Sequence, residues 1–344
     1  MTAVVKEAPA PGSVVRALPI PALGPRDVLV KVRAASICGT DLHIEDWDGW
    51  AQRRIRPPLV FGHECCGDVV AIGPGVTLVA EGAYVSVEGH IPDGTCYQCR
   101  TGNSHICENL EIVGVDRPGC FAEYVAVPEG NVFALDPDMP PEVGALQDPF
   151  GNAVHTTLAG EIAGLVVAVV GSGPIGCCAV AVARAAGARM VIATDVRAFR
   201  LELAQRMGAD RVVDASREDP VAVVCAAADG AGADVVLEMS GHPAGIAQAF
   251  RMLRRGGRLS LLGIPPTPVS LDLAEDVIFK GATVQGINGR RIWQTWIQAQ
   301  ALLRARKVDL MPLVTHKFPL AKIHEAMALL RTGDAAKVIL YPGG

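Results

Sequence analysis

The apolar run Leu165-Val166-Val167-Ala168-Val169-Val170 breaks straight into Gly171-Ser172-Gly173-Pro174-Ile175-Gly176, and no other segment restricts the fold of this chain as tightly. A short Val-rich run that ends on glycines reads as a buried strand entering a tight turn. Gly171 suits that turn, Gly173 lets backbone approach a pyrophosphate, and Gly176 allows the next helix to pack closely on the strand. The helix opens with Pro174, a residue suited to a first turn, and offers unpaired N–H groups and a positive dipole end to phosphate. Asp195 closes the following strand, about 20 residues on, where the fingerprint requires an acid. Its carboxylate would accept from both ribose hydroxyls and repel a 2′-phosphate, which favours NAD over NADP. Arg197 and Arg200 lie just beyond and either could meet a phosphate; Arg200 better suits packing on the adenosine end.

Strand and helix alternate from Leu165 onward. Strands are expected at Val166 to Val170, Met190 to Thr194, Arg211 to Val213, Asp234 to Leu237 and Arg258 to Leu262. Helices are expected at Pro174 to Gly187, Arg197 to Met207, Pro220 to Ala228 and Pro243 to Arg254. The pattern predicts a doubly wound parallel sheet in an α/β chain. The first 145 or so residues differ, with short Val-rich runs heavily punctuated by Gly and Pro, and read as mostly β. After Gly289 the chain turns helical and closes on the strand-like Lys337-Val338-Ile339-Leu340-Tyr341, which is expected to return to the first domain. The expected division is residues 1–147 with 290–344, and residues 148–289 as the nucleotide domain.

Ile162 to Ala183 carries no charge and is long enough to suggest a membrane span. Gly171, Gly173 and Pro174 interrupt it, so strand, turn and buried helix explain it better. At 344 residues, half of them hydrophobic and 19% charged, the chain can bury two cores and is not disordered. A net charge of -5 without a basic block argues against nucleic acid or an anionic membrane as partner. The N-terminal residues lack an apolar signal core, and a cytoplasmic location is expected. Ten cysteines in this length do not resemble a small disulfide scaffold. The group Cys96-x2-Cys99-x7-Cys107 instead suggests a metal.

Upstream lie Ile37-Cys38-Gly39-Thr40-Asp41-Leu42-His43 and Phe61-Gly62-His63-Glu64. Together they supply thiolate, imidazole and carboxylate, ligand types that zinc accepts. Cys38 and His63 would leave a position open for water or a substrate oxygen, and Glu64 is either a third ligand or a group that orients one. Thr40 and His43 could carry a released proton to solvent, hydroxyl to imidazole. A Lewis acid and a dinucleotide in one chain point to alcohol oxidation by hydride transfer.

With these motifs the chain resembles the zinc-dependent medium-chain dehydrogenases, and within them the branch that oxidises L-threonine. The markers are Cys38 to His43, Trp47 to Trp50, Gly62 to Glu64, Glu88 to Ile91 and Asp148-Pro-Phe-Gly-Asn-Ala-Val-His155. Later ones are Glu238 to Gly241, Leu262 to Pro266 and Val338 to Leu340. The resemblance implies a GroES-like catalytic domain, an NAD-binding Rossmann domain and a homotetramer. It assigns catalytic zinc to Cys38, His63 and Glu64 and a proton relay to Thr40 and His43. Asp148 would assist near the metal and His90 would line the substrate pocket. Cofactor contacts would come from Ile175, Asp195, Arg200, Leu262, Gly263, Ile264, Gly286 and Ile287. The implied reaction takes L-threonine and NAD to 2-amino-3-oxobutanoate and NADH.

Two departures stand out. The family's structural-zinc lobe, here near residues 88–110, carries four cysteines, and this chain has Asp93 in the first position before Cys96, Cys99 and Cys107. A carboxylate can bind zinc, so a site of one aspartate and three cysteines is the first reading and an empty lobe the second. In Gly286 to Arg291 the family tends to place a tyrosine at Asn288 and an acid at Arg291. A polyol or 2,3-butanediol dehydrogenase is the competing enzyme reading, and a non-catalytic NAD(H)-binding redox sensor the competing class.

Overall fold

The computed structural model describes residues 1–343 and divides the chain into two compact units: Met1–Asp148 with Val314–Gly344, and Pro149–Leu313. In the second unit six parallel strands form one sheet, in the order Arg211–Asp214, Met190–Asp195, Val166–Val170, Ala233–Glu238, Leu253–Leu261, Thr283–Gly286. The chain runs outward from Val166–Val170 to one edge, then fills the other side. The order therefore reverses beside that strand, where doubly wound sheets bind ligands outside their carboxyl ends. Val166, Ala168, Val170, Ile192, Val236 and Leu259 fill a core with helix residues such as Phe250. Because both faces of such a sheet are covered at its centre, the inner strands Val166–Val170, Met190–Asp195 and Ala233–Glu238 are near-continuous apolar runs.

The first unit is built on an antiparallel sheet centred on Asp27–Ser36, which pairs with Glu64–Ile72, with Tyr124–Pro128 and with the returning strand Lys337–Tyr341. That last strand pairs in parallel with Val314–Pro319. Phe61 and Phe121 cross edge to face at 5.3 Å beneath the loop that leads to His63. Gly62 is forced there: its φ is +91°, and a Cβ would lie 2.4 Å from the Phe121 ring.

The expected return of residues 290–344 to the first unit holds only from Val314; residues 290–313 cluster with the nucleotide unit. The reason is burial. Trp296 on the helix Gln294–Arg304 is 1% exposed, Val308, Leu310 and Leu313 are buried, and Met311–Leu313 packs on the helix Ala198–Arg206. The helix expected to reach Arg254 stops at Met252, and a strand begins at Leu253. Leu253 pairs with Ala233 across a register shift, a non-local ladder that outweighs local helix pattern.

Candidate active site

Cys38 follows the strand Asp27–Ser36 and caps the helix Gly39–Asp46, with its backbone N–H donating to Asp41 Oδ2 at 2.8 Å. His63 sits on the loop entering Glu64–Ile72, and Glu64 is the first residue of that strand. Ser36 and Glu64 are direct partners in the ladder, so sheet register brings the segments of Cys38 and Glu64 together. Ligand atoms of Cys38, His63 and Glu64 all lie within 4.8 Å of one another, with His63 and Glu64 buried. Sulfur, nitrogen and carboxylate oxygen at that spacing suit zinc. Two buried atoms there lack hydrogen bonds, His63 Nδ1 and Asp41 Oδ1, and they face each other at 3.6 Å. Burial pushes the Asp41 carboxyl up to about 6. Asp41 was legible only as part of a motif; its place in the first turn after Cys38 was the available signal.

Glu64 is held from one side. Its Oε2 accepts from Ser36 Oγ and, at 2.5 Å, from Lys337 Nζ, and Lys337 is itself 4% exposed. Burial works against the charge of Glu64, but Lys337 and His63 hold its pKa below the usual carboxylate range. Sequence reasoning missed Lys337, taking it for the start of a closing strand. A lysine next to Val338-Ile339-Leu340 in a buried run was the signal, since such a charge needs a partner.

Thr40 Oγ1 lies 3.8 Å from Cys38 Sγ. His43 stands three residues further on the same helix, hence on the same face. Its Nδ1 is 2.7 Å from Asp48 Oδ2 and its side chain is 58% exposed. Asp48 caps the helix Gly49–Arg54, which fixes the carboxylate that orients the imidazole. Asp148 is buried near the metal donors: a Cβ on Gly89 would lie 3.6 Å from His63 Cβ and 3.9 Å from Asp148 Oδ2. His90 follows directly, half-buried, and its backbone N–H donates to Glu88.

The second donor group is Asp93, Cys96, Cys99 and Cys107, also within 4.8 Å. Asp93 Oδ1 accepts from the N–H groups of Thr95 and Cys96, and Oδ2 from Asn109 Nδ2 at 2.6 Å. Asn109 and these N–H groups hold the Asp93 carboxyl well below the usual range. The four donors match a tetrahedral zinc site in number and type. Zinc analysis by plasma mass spectrometry is expected to find about two ions per chain, and about one in Asp93→Ala.

In the nucleotide unit two of the three glycines are sterically required. A Cβ on Gly171 would lie 2.8 Å from Ser240 backbone, and one on Gly176 2.0 Å from the Gly171 carbonyl oxygen. Gly173 caps the helix Pro174–Ala185 and has open space where its Cβ would be, as a pyrophosphate cradle needs. Asp195 Oδ2 accepts from Ser172 N–H, and Oδ1 from the N–H groups of Val196 and Arg197. A carboxylate has about four acceptor positions, so one remains for ribose. Arg200 faces Asp195 Oδ2 at 3.7 Å, an ion pair at the carboxyl end of the strand. Leu262 and Gly263 turn back onto the Glu238 carbonyl, leaving Ile264 90% exposed. Gly286 ends the edge strand and Ile287 N–H donates to Leu261. Ile175 is half-buried in the first turn of the helix.

Residues 24–137 match the model of the alcohol dehydrogenase GroES-like domain and residues 174–305 that of the zinc-binding dehydrogenase domain. The chain belongs to the zinc-dependent medium-chain dehydrogenases. It is 51% identical to the L-threonine 3-dehydrogenase of Symbiobacterium thermophilum over 99% of this chain and 98% of that one. The alcohol dehydrogenase of Thermus sp. ATN1 superposes with a TM-score of 0.91 at 32% identity, covering 99% of each chain. The 2R,3R-butanediol dehydrogenase of Bacillus subtilis gives 0.89 at 28% identity, again over 99% of each. The chain is thus an oxidoreductase of the zinc- and NAD-using kind. No helix among the described residues is long and apolar enough to cross a membrane.

Proposed function

We propose that this enzyme oxidises the secondary alcohol of L-threonine to 2-amino-3-oxobutanoate, with hydride passing to NAD and one proton released. The observation that carries the reading is 51% identity to an L-threonine 3-dehydrogenase running through both units. Cys38, His63 and Glu64 would hold the catalytic zinc; when bound, that ion supplies the Lewis acidity that eases loss of the substrate's hydroxyl proton. Thr40 accepts that proton and His43, exposed and steadied by Asp48, hands it to solvent. Asp148 adds negative charge beside His63, and His90, next to Gly89, lines the substrate pocket. The turn of Gly171, Gly173, Ile175 and Gly176 seats the pyrophosphate, Asp195 with Arg200 the ribose, and Leu262 to Ile264 with Gly286 and Ile287 the remainder of the dinucleotide.

Asp93, Cys96, Cys99 and Cys107 would hold a second, structural zinc. A homotetramer is supported by the edge strand Thr283–Gly286, with Ile278 and Phe279 exposed beside it. The cytoplasm suits ten free thiols.

His43→Ala is expected to lower kcat about 10²-fold with KM little changed, and added imidazole buffer to restore part of the rate. Steady-state kinetics at several buffer concentrations check this. The substrate reading is tested by NADH absorbance with L-threonine, 2R,3R-butanediol and sorbitol. Threonine should give the largest kcat/KM. Good butanediol turnover beside inert threonine would transfer the assignment to the diol, whose dehydrogenase shares this fold.

A further inference from the structure

We propose that Lys337 is a positioning residue that limits how firmly Glu64 holds the catalytic metal. The inference rests on the reading that Cys38, His63 and Glu64 form that site.

Lys337 Nζ has three acceptors for its three N–H groups: Glu64 Oε2 at 2.5 Å, Ile37 O at 3.3 Å and Ser36 Oγ at 3.4 Å. Ile37 is the residue before Cys38, so one ammonium ties the backbone beside one metal donor to the carboxylate of another. The strand Lys337–Tyr341 is locked against Asp27–Ser36 through Ile339 to Ser36 and Leu340 to Ala35, which fixes where the ammonium stands. Both side-chain donors to Glu64, Ser36 and Lys337, take the same oxygen, Oε2. Among the described residues no hydrogen bond reaches Oε1. One oxygen is therefore anchored to a buried cation while the other is left for the metal.

A buried carboxylate must find positive charge or lose its own. With Lys337 present, Glu64 is neutralised whether or not it touches the metal, so leaving the ion strands no charge and frees a position for substrate oxygen. Without Lys337, and with His63 neutral as a metal donor, the positive charge left beside Glu64 among the described residues is the metal, and Glu64 stays on it.

The test uses full-length protein in three forms: wild type, Lys337→Met and Lys337→Arg. Zinc affinity is read by competition with a chromophoric chelator, and coordination by the visible spectrum of the cobalt(II)-substituted protein. Lys337→Met should bind zinc more tightly, by about 10- to 100-fold, the opposite sense to the loss of that size that usually follows a change behind a metal ligand. Its cobalt bands should weaken as the fourth or fifth position fills, and kcat/KM should fall at least about tenfold. Lys337→Arg should stay near wild type in all three. The gain in affinity should vanish in the double variant Glu64→Gln/Lys337→Met. Unchanged or weaker zinc binding by folded Lys337→Met overturns the proposal. If that variant does not fold, Ser36→Ala removes the other donor to Oε2 and must tighten zinc in the same direction; no change there also overturns it. A Cys38→Ala variant that keeps the zinc content of wild type would instead overturn the site reading beneath it.

Discussion

Cys38→Ala is expected to lose one zinc per chain and to lower kcat/KM for L-threonine by at least about 10³-fold. A metal that polarises a reacting oxygen contributes several kcal/mol to the barrier, and about 4 kcal/mol corresponds to 10³ in rate. The remaining donors cannot replace it. His63 and Glu64 give only two protein ligands, below the three that catalytic zinc sites use. Folding should survive, because Cys38 contributes its backbone cap to Asp41 and not a core side chain. Metal analysis with steady-state kinetics on the same preparation checks both halves. Retained activity with one zinc lost would place the chemistry elsewhere.

Asp195→Ala should lower the preference for NAD over NADP by about 10²-fold or more, measured as the ratio of kcat/KM values. Two like charges about 4 Å apart repel by about 4 kcal/mol at an effective dielectric near 20, and the substitution removes that repulsion of a 2′-phosphate. Arg200, at 3.7 Å from the carboxylate, would be released to meet the phosphate. NAD should also bind somewhat less well, because Asp195 orders the turn through Ser172 N–H at 2.9 Å. An unchanged ratio would mean that the carboxylate serves only the turn.

Much of this architecture was legible because its determinants are local. The strand before Gly171, the glycines themselves and the acid closing the next strand are steric or electrostatic requirements met within a few residues. Thr40 and His43 share the helix that Cys38 caps, and His63 and Glu64 adjoin. What escaped was set by pairing over long distances. Lys337 reaches Glu64 only because the last strand lies against Asp27–Ser36. Residues 290–313 join the nucleotide unit through the burial of Trp296 and Leu310, and a helical pattern does not say against what it packs. Asn109 bonds Asp93 from sixteen positions away, so its part in the metal lobe has no local signature.

The most direct test of the central claim is a zinc titration into chelator-stripped protein, followed by NADH formation from L-threonine. The account predicts no threonine-dependent NADH without metal and a rate that climbs with added zinc until the Cys38 site is filled. Threonine-dependent NADH from the stripped protein, or none from fully loaded protein, would contradict it.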